Sequence, residues 1–255
     1  MTKIKKMKKL SEKTIRFLLI ISISFNFLFI TGYGVRMTLL RKYQIEYGVH
    51  KTFWKWQYNR EFNKFSNDTS EVVMLGNSLT FGFEWKNLFK NVNIKNCGIG
   101  GNTTKDVLHR LNKVIERNPK KIFIEIGIND LLGGVSIDTV FDNYTKIVQI
   151  IKQKNPSTRI YIQSILPTVW NIYNTDEPVI KSTYVLNKKL KDYCDSNNMT
   201  YVDLFPKFLK KQGLNSTYDS GDKLHLNWKG YLLWSSLIKD YVNEKTITTR
   251  DQPFH

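Results

Sequence analysis

The stretch EVVMLGNSLT, residues 71–80, sets the fold: a short apolar run ends on Gly76 and breaks into a polar turn before a new pattern begins. A run of that length bounded by a glycine turn reads as a buried strand, and the residues behind it lie at the strand's carboxyl end. The unit recurs at VNIKNC (92–97), KIFIEIG (121–127), RIYIQSIL (159–166) and YVDLF (201–205). Helical patterns occupy roughly 103–118, 136–154, 179–196 and 228–243, with a short one near 84–90. Because nearly every strand is followed by a helix, the crossovers are expected to be right-handed and the sheet parallel, with both faces covered. The expectation is an α/β domain of three layers, a doubly wound sheet of five parallel strands over residues 71–245. In such sheets the functional site lies outside the carboxyl ends of the strands.

Upstream, seven basic residues from Lys3 to Arg16 precede FLLIISISFNFLFITGYGV, residues 17–35, which carry no formal charge. Nineteen helical residues span about 28 Å, close to the hydrocarbon thickness of a bilayer. No small-residue cleavage site follows, so an anchor is preferred to a removed signal. The basic leader, residues 1–16, orients the N-terminus to the cytoplasm and everything from residue 36 outward. Residues 36–70 form a linker in which Trp54, Tyr58, Phe62 and Phe65 recur at helical spacing, and 246–255 is a polar tail.

The whole chain of 255 residues has 41% hydrophobic and 24% charged residues, which excludes a disordered tail, a collagen-like chain and a polytopic membrane protein. Its net charge is +17, of which the leader accounts for +6, leaving +11 for the rest. Such a surplus suits an anionic neighbourhood, whether phospholipid head groups, acidic glycan or nucleic acid. A nucleic-acid partner is disfavoured by the outward location and by lysines scattered over solvated helix faces. Two cysteines, Cys97 and Cys194, supply neither a disulfide framework nor zinc-ligand spacing.

The strand ends form a coherent set. GNSLT (76–80) follows the first strand, NCGIGGNTT (96–104) the second and GINDLL (127–132) the third, while GDKLHLN (221–227) precedes the last helix. Each block has a plain alternative. Ser78 could be a helix cap. The glycine loop 98–101 lacks the spacing of a nucleotide cradle, so no cofactor is expected. Asn129 and Asp130 could form an ordinary turn. Two histidines carry an aspartate three residues earlier, His109 after Asp106 and His225 after Asp222, and spacing cannot choose between them. His109 points away from the apolar face of its helix, whereas His225 lies in a loop before a helix that Asn227 caps, so His225 is the preferred base.

Taken together, GNSLT, the Gly101 loop, GIND and D-x-x-H, in this order on these elements, resemble the four signature blocks of the SGNH/GDSL esterase superfamily. The run from NCGIGGNTT to QSILPT is similar to its platelet-activating-factor acetylhydrolase-like and carbohydrate O-acetylesterase branches. One departure is Asn77, where the name-giving motif has aspartate. The resemblance implies a flavodoxin-like strand order 2-1-3-4-5, with the two cysteines on distant strands and therefore unbridged. It implies Ser78 as nucleophile, His225 as base and Asp222 as its orienting carboxylate. The Ser78 and Gly101 N–H groups and the Asn129 side chain would form an oxyanion hole, with no metal or organic cofactor.

Three functions compete on this basis. The first is an anchored extracytoplasmic esterase removing a small acyl group, acetyl above all, from a carbohydrate or related substrate. The second is an acyltransferase acting on a cell-envelope glycan with the same residues. The third is a non-catalytic module holding anionic glycan. A glycan on the Asn102 sequon would sit in the proposed site, which favours a bacterial envelope over a eukaryotic secretory route. The Leu131–Ser136 loop and the Pro167–Pro178 loop, with Trp170 and Tyr173, are the segments expected to shape the substrate pocket.

Overall fold

The computed structural model describes residues 72–89, 93–116, 118–169 and 179–244, with Ser11, Lys13, Leu19 and Ser22 as isolated positions. The chain divides into two compact units, Met1–Val49 and His50–His255. The expected anchor apart from Leu19 and Ser22, the 36–70 linker, the loop from Trp170 to Pro178 and the tail lie outside the described residues. Among the described residues no helix is long and apolar enough to cross a membrane.

The second unit holds a parallel sheet of five strands: β1 (Val72–Gly76), β2 (Ile94–Gly98), β3 (Lys121–Glu125), β4 (Arg159–Gln163) and β5 (Thr200–Val202). Their order is β2-β1-β3-β4-β5. Every residue of β1 and β3 is buried, as a strand covered on both faces must be. The register places Gly76 opposite Gly98 on one side and opposite Glu125 on the other. Eight helices connect and cover the strands in the described residues: α1 (Ser78–Phe81), α2 (Trp85–Leu88), α3 (Thr104–Ile115), α4 (Ile128–Leu132), α5 (Ile137–Lys154), α6 (Val179–Ser196), α7 (Phe205–Phe208) and α8 (Trp228–Asn243). A small antiparallel hairpin of β6 (Leu209–Lys210) and β7 (Gly213–Leu214) follows α7. The long helices begin and end within a few residues of the sequence expectation. A helix behind the first strand is expected from the turn at Ser78, whereas the short helices α4 and α7 and the hairpin are not, because so few residues carry too few turns to show a period.

Alternation along the strands assigns the two faces. Phe123 and Tyr161 stack with ring centroids 4.4 Å apart, Tyr161 meets Tyr241 of α8, and Trp234 of α8 donates to Gln163 Oε1 at 2.7 Å. The intervening residues look to the other side, where α3, α5 and α6 pack side by side. Trp85, Tyr231 and Trp234 form an aromatic cluster that joins α2 to α8. At the amino edge of the sheet the Lys121 amine, almost completely buried, donates to the carbonyls of Tyr241 and Val242 at 2.9 Å and to that of Glu244, closing the end of α8. Cys97 lies in β2 and Cys194 in α6, both buried and unbridged. Burial pushes the Cys194 thiol up to about 12, so it is held protonated and inert.

At the carboxyl edge Glu125 is fully buried, and neither carboxyl oxygen has a hydrogen bond of normal geometry among the described residues. Desolvation pushes its pKa up to about 8, only partly offset by the Leu166 N–H, so it is neutral through acid and mid-range pH. A carboxyl that holds its proton more tightly when folded contributes stability below its unfolded pKa of about 4.5, and that stability drains away as pH rises towards 8. Glu125→Gln should therefore flatten the decline of melting temperature between pH 5 and 9, with a gain at the alkaline end on the order of 2 kcal/mol, roughly 5 °C for a domain of this size. Parallel curves for the two proteins would show that Glu125 is ionised when folded.

Candidate active site

Helix α1 begins directly behind β1, and its cap is Asn77 rather than Ser78. The Asn77 side chain accepts the Leu79 N–H at 2.8 Å, as an N-cap residue does. This leaves the hydroxyl of Ser78 available, and its Oγ lies 2.9 Å from Nε2 of His225. The turn sits on the sheet at very close range. A Cβ on Gly98 would stand 2.3 Å from the Phe81 nitrogen, and one on Gly76 only 2.1 Å from Thr80 Oγ1. Asn96 of β2 fastens the turn, its Nδ2 reaching the carbonyls of Thr80, Phe81 and Phe83 at 3.1, 3.1 and 2.9 Å. From above, the Tyr231 hydroxyl donates to the Leu79 carbonyl at 2.9 Å.

The histidine comes from a loop that is largely self-supporting. Asp222 Oδ2 is 2.6 Å from His225 Nδ1, while its Oδ1 accepts the backbone N–H groups of His225 at 2.8 Å and Leu224 at 3.0 Å. Asp219 Oδ1 accepts from the N–H of Gly221 at 2.8 Å and of Lys223 at 2.9 Å. Asn227 caps α8 through the Gly230 N–H and ties back to the Thr217 and Asp219 carbonyls. Thr168, behind β4, donates to the Lys223 carbonyl at 2.7 Å and so fixes the loop to the sheet. Partial burial alone would raise the Asp222 carboxyl, but the hydrogen bonds from the His225 ring and from the two N–H groups outweigh it and hold it down at about 2. The competing pair is resolved differently. His109 is exposed, and Asp106 belongs to the capping box of α3, where it accepts the Thr103 N–H at 2.9 Å.

The two remaining loops are joined to each other. The chain turns at Ile99–Asn102, closed by the Asn102 N–H on the Ile99 carbonyl at 3.2 Å, with Gly101 at φ +71°, the left-handed conformation that the third residue of a type II turn requires. Asn129 Nδ2 donates to the Asn102 carbonyl at 2.9 Å. Arg110 of α3 donates from Nε to Asn102 Oδ1 at 2.9 Å and from Nη2 to the Gly76 carbonyl at 3.0 Å, bridging the ends of β1 and β2. Asp130, almost wholly buried, accepts the Thr104 N–H at 2.9 Å and the Thr104 hydroxyl at 2.6 Å. Burial pushes the Asp130 carboxyl up and these bonds pull it back.

The structure thus brings Ser78, His225 and Asp222 into one hydrogen-bonded line and latches the Gly101 turn to Asn129 through Asn102. Among the described residues, no group of three His, Cys, Asp or Glu side chains is placed to hold a metal ion. Sequence reading overlooked Asn96 and Arg110, although each stands beside a residue it singled out, Cys97 and His109. The partners that give them a role are 8 to 34 residues away in the chain. Asp130 was read as a turn residue; its partner is 26 residues earlier.

Comparison with known proteins bears on this arrangement. Residues 74–233 match the model of the GDSL-like Lipase/Acylhydrolase family. N-acylneuraminate cytidylyltransferase of Streptococcus agalactiae is 26% identical over 202 residues, which are 79% of this chain but 45% of that protein, so the chain spans under half of that relative's length. Human platelet-activating factor acetylhydrolase IB subunit alpha2 is 29% identical over 185 residues, 70% of this chain and 78% of that protein. The crystal structure of a GDSL-like lipase from Bacteroides thetaiotaomicron superposes with a TM-score of 0.65 at 25% identity, covering 73% of this chain and 95% of that one.

Removing the Asp130 carboxylate would leave the Thr104 N–H and hydroxyl without their acceptor in the interior. Asp130→Ala is accordingly expected to lower unfolding stability by about 2 kcal/mol, read as a loss of roughly 5 °C in melting temperature, with Asp130→Asn intermediate. An unchanged melting temperature would mean that water replaces the carboxylate at no cost.

Proposed function

The chain belongs to the GDSL-like lipase/acylhydrolase family, and on that premise we propose that it is a serine ester hydrolase that removes a small acyl group, acetyl, from a carbohydrate or related substrate. The observation that carries this reading is the unbroken line from Ser78 Oγ to His225 Nε2 and from His225 Nδ1 to Asp222, at 2.9 and 2.6 Å. An aspartate held ionised at Nδ1 selects the tautomer in which Nε2 accepts. Nε2 then takes the Ser78 proton as the oxygen attacks the acyl carbonyl, and Asp222 stabilises the imidazolium that results. The oxyanion is received by the N–H groups of Ser78 and Gly101 and by the Asn129 carboxamide, whose second N–H is oriented by the bond of the first to Asn102. His225 returns the proton to the leaving alkoxide. Water attacks the acyl-enzyme with the same base, releasing the acid and restoring Ser78.

One name among the relatives supports the acyl group: human platelet-activating factor acetylhydrolase IB subunit alpha2 is called an acetylhydrolase, and the match covers 78% of it. The sequence supports the location. An uncharged stretch at 17–35 behind a basic leader would hold the domain on the outer side of a membrane, with the N-terminus in the cytoplasm.

Ser78→Ala should abolish hydrolysis of 4-nitrophenyl acetate, by at least about a thousandfold, while leaving the melting temperature within about 2 °C. A fluorophosphonate should label the unmodified chain at Ser78 and leave the variant unlabelled. Turnover surviving in the variant would refute the nucleophile. Acetyl transfer to added glycan that outruns hydrolysis would reassign the protein as an acyltransferase with the same residues.

A further inference from the structure

We propose that the surface beside the His225 loop is a subsite for a carboxylate, so that the ester cleaved at Ser78 is borne on an acidic sugar. Lys223 and Lys229 meet the acid, and the Trp228 ring receives the sugar face. This rests on the reading of Ser78 as the nucleophile and narrows its substrate.

Three observations converge. The first is uncompensated charge. Lys210, Lys211, Lys223 and Lys229 are exposed and make no ion pair among the described residues. Between residues 204 and 239 the only carboxylates are Asp219 and Asp222, both committed to their own loop. The lysines of α6 behave differently: Lys188 and Lys191 pair with Asp192 and Asp195, and Lys189 with Asp138. Lys223 and Lys229, on either side of His225 in the chain, thus have no carboxylate partner among the described residues.

The second is placement. Lys223 stands beside Asp222 in the histidine's loop, and its carbonyl is tied to Thr168. A Cβ on Gly213 would fall 2.4 Å from Val169, so the hairpin that carries Lys210 and Lys211 at its turn abuts the same segment. Trp228, three residues after His225, is 65% exposed, and the Lys229 amine lies 5.8 Å from its ring centroid. An indole face with an ammonium next to it suits a sugar ring that carries an acid.

The third is strain. Lys223 has φ +66° and Lys211 φ +57°, the left-handed region that glycine or asparagine occupies at less cost. Holding a long cation in that conformation next to a reactive loop points to a use for the cation.

The test compares kcat/KM of the full chain on O-acetylated methyl galacturonoside, on the O-acetylated methyl galactoside counterpart and on 4-nitrophenyl acetate. At about 20 mM salt the acid should be preferred over the neutral sugar by roughly tenfold, mostly through KM, and the preference should shrink at about 300 mM as screening sets in. Lys223→Asn with Lys229→Gln should erase the preference, and Lys223→Asn alone should not lower the melting temperature, since asparagine relieves the backbone. Lys152→Gln, in the last turn of α5 at the opposite edge of the sheet, should keep the preference. Equal rates on the two sugars, a preference indifferent to salt, or one that survives the double variant would overturn the subsite and leave the esterase standing. Failure to turn over any of the three esters would overturn both.

Discussion

Everything at this site depends on how near one turn comes to the ends of two strands. Residues 77–82 can settle on β1 and β2 only because Gly76 and Gly98 present bare backbone there; a single methyl at either would sit within 2.3 Å of a neighbouring atom. The approach puts Ser78 at a height where a histidine from the far end of the sequence can reach it. Asn96, spending its amide on three carbonyls of that turn, converts proximity into a fixed pose. The tight fit also leaves little room for compensation below. Among the described residues the Glu125 carboxyl and the Asn77 Nδ2 have no side-chain hydrogen bond of ordinary geometry in the interior, a state the first sustains by staying neutral. Asn77 stands where the name-giving motif carries an acid, and the capping bond needs only its oxygen.

The remaining parts are joined by side chains that each bind two loops. Arg110 links the end of β1 to Asn102, Asn129 links Asn102 to the end of β3, and Asp130 fixes the first turn of α3 beside them. The serine side of the site is thus one hydrogen-bonded body. The histidine side is organised separately, by Asp219, Asp222 and Asn227 acting on their own loop, with Thr168 as its tie to the sheet. Such division is economical in evolution's terms: the loop's exposed residues can vary without disturbing the donors that would hold an oxyanion.

How much of this was legible beforehand follows from what each feature depends on. Strands β1 to β5 and the long helices α3, α5, α6 and α8 announce themselves, because burial on both faces or along one stripe imposes a period on consecutive residues. Ser78, Gly101 and Asn129 stand out because they follow strand ends, and His225 because it lies in a loop before a capped helix; the structure brings Ser78 to His225 and ties Asn129 to the Gly101 turn through Asn102. Choosing between His225 and His109 from helix geometry agrees with the exposure of His109 and with the use of Asp106 as a cap. Hidden from the sequence were the roles that only long-range contacts create. Arg110 looks like one more basic residue on a helix, and Asp130 like part of a turn. The cap fell to Asn77 instead of Ser78, a one-residue difference that periodicity does not resolve.

Lys121 has a consequence for handling the molecule. By drawing the carbonyls at the end of α8 onto the first residue of β3, it brings the chain's departure at Glu244 to the same side of the sheet as its arrival at Val72. Ser78 and His225 stand at the other side, about 17 Å away along the strands. A handle joined directly at Val72 or at Glu244 would consequently start from the end of the sheet opposite Ser78 and His225.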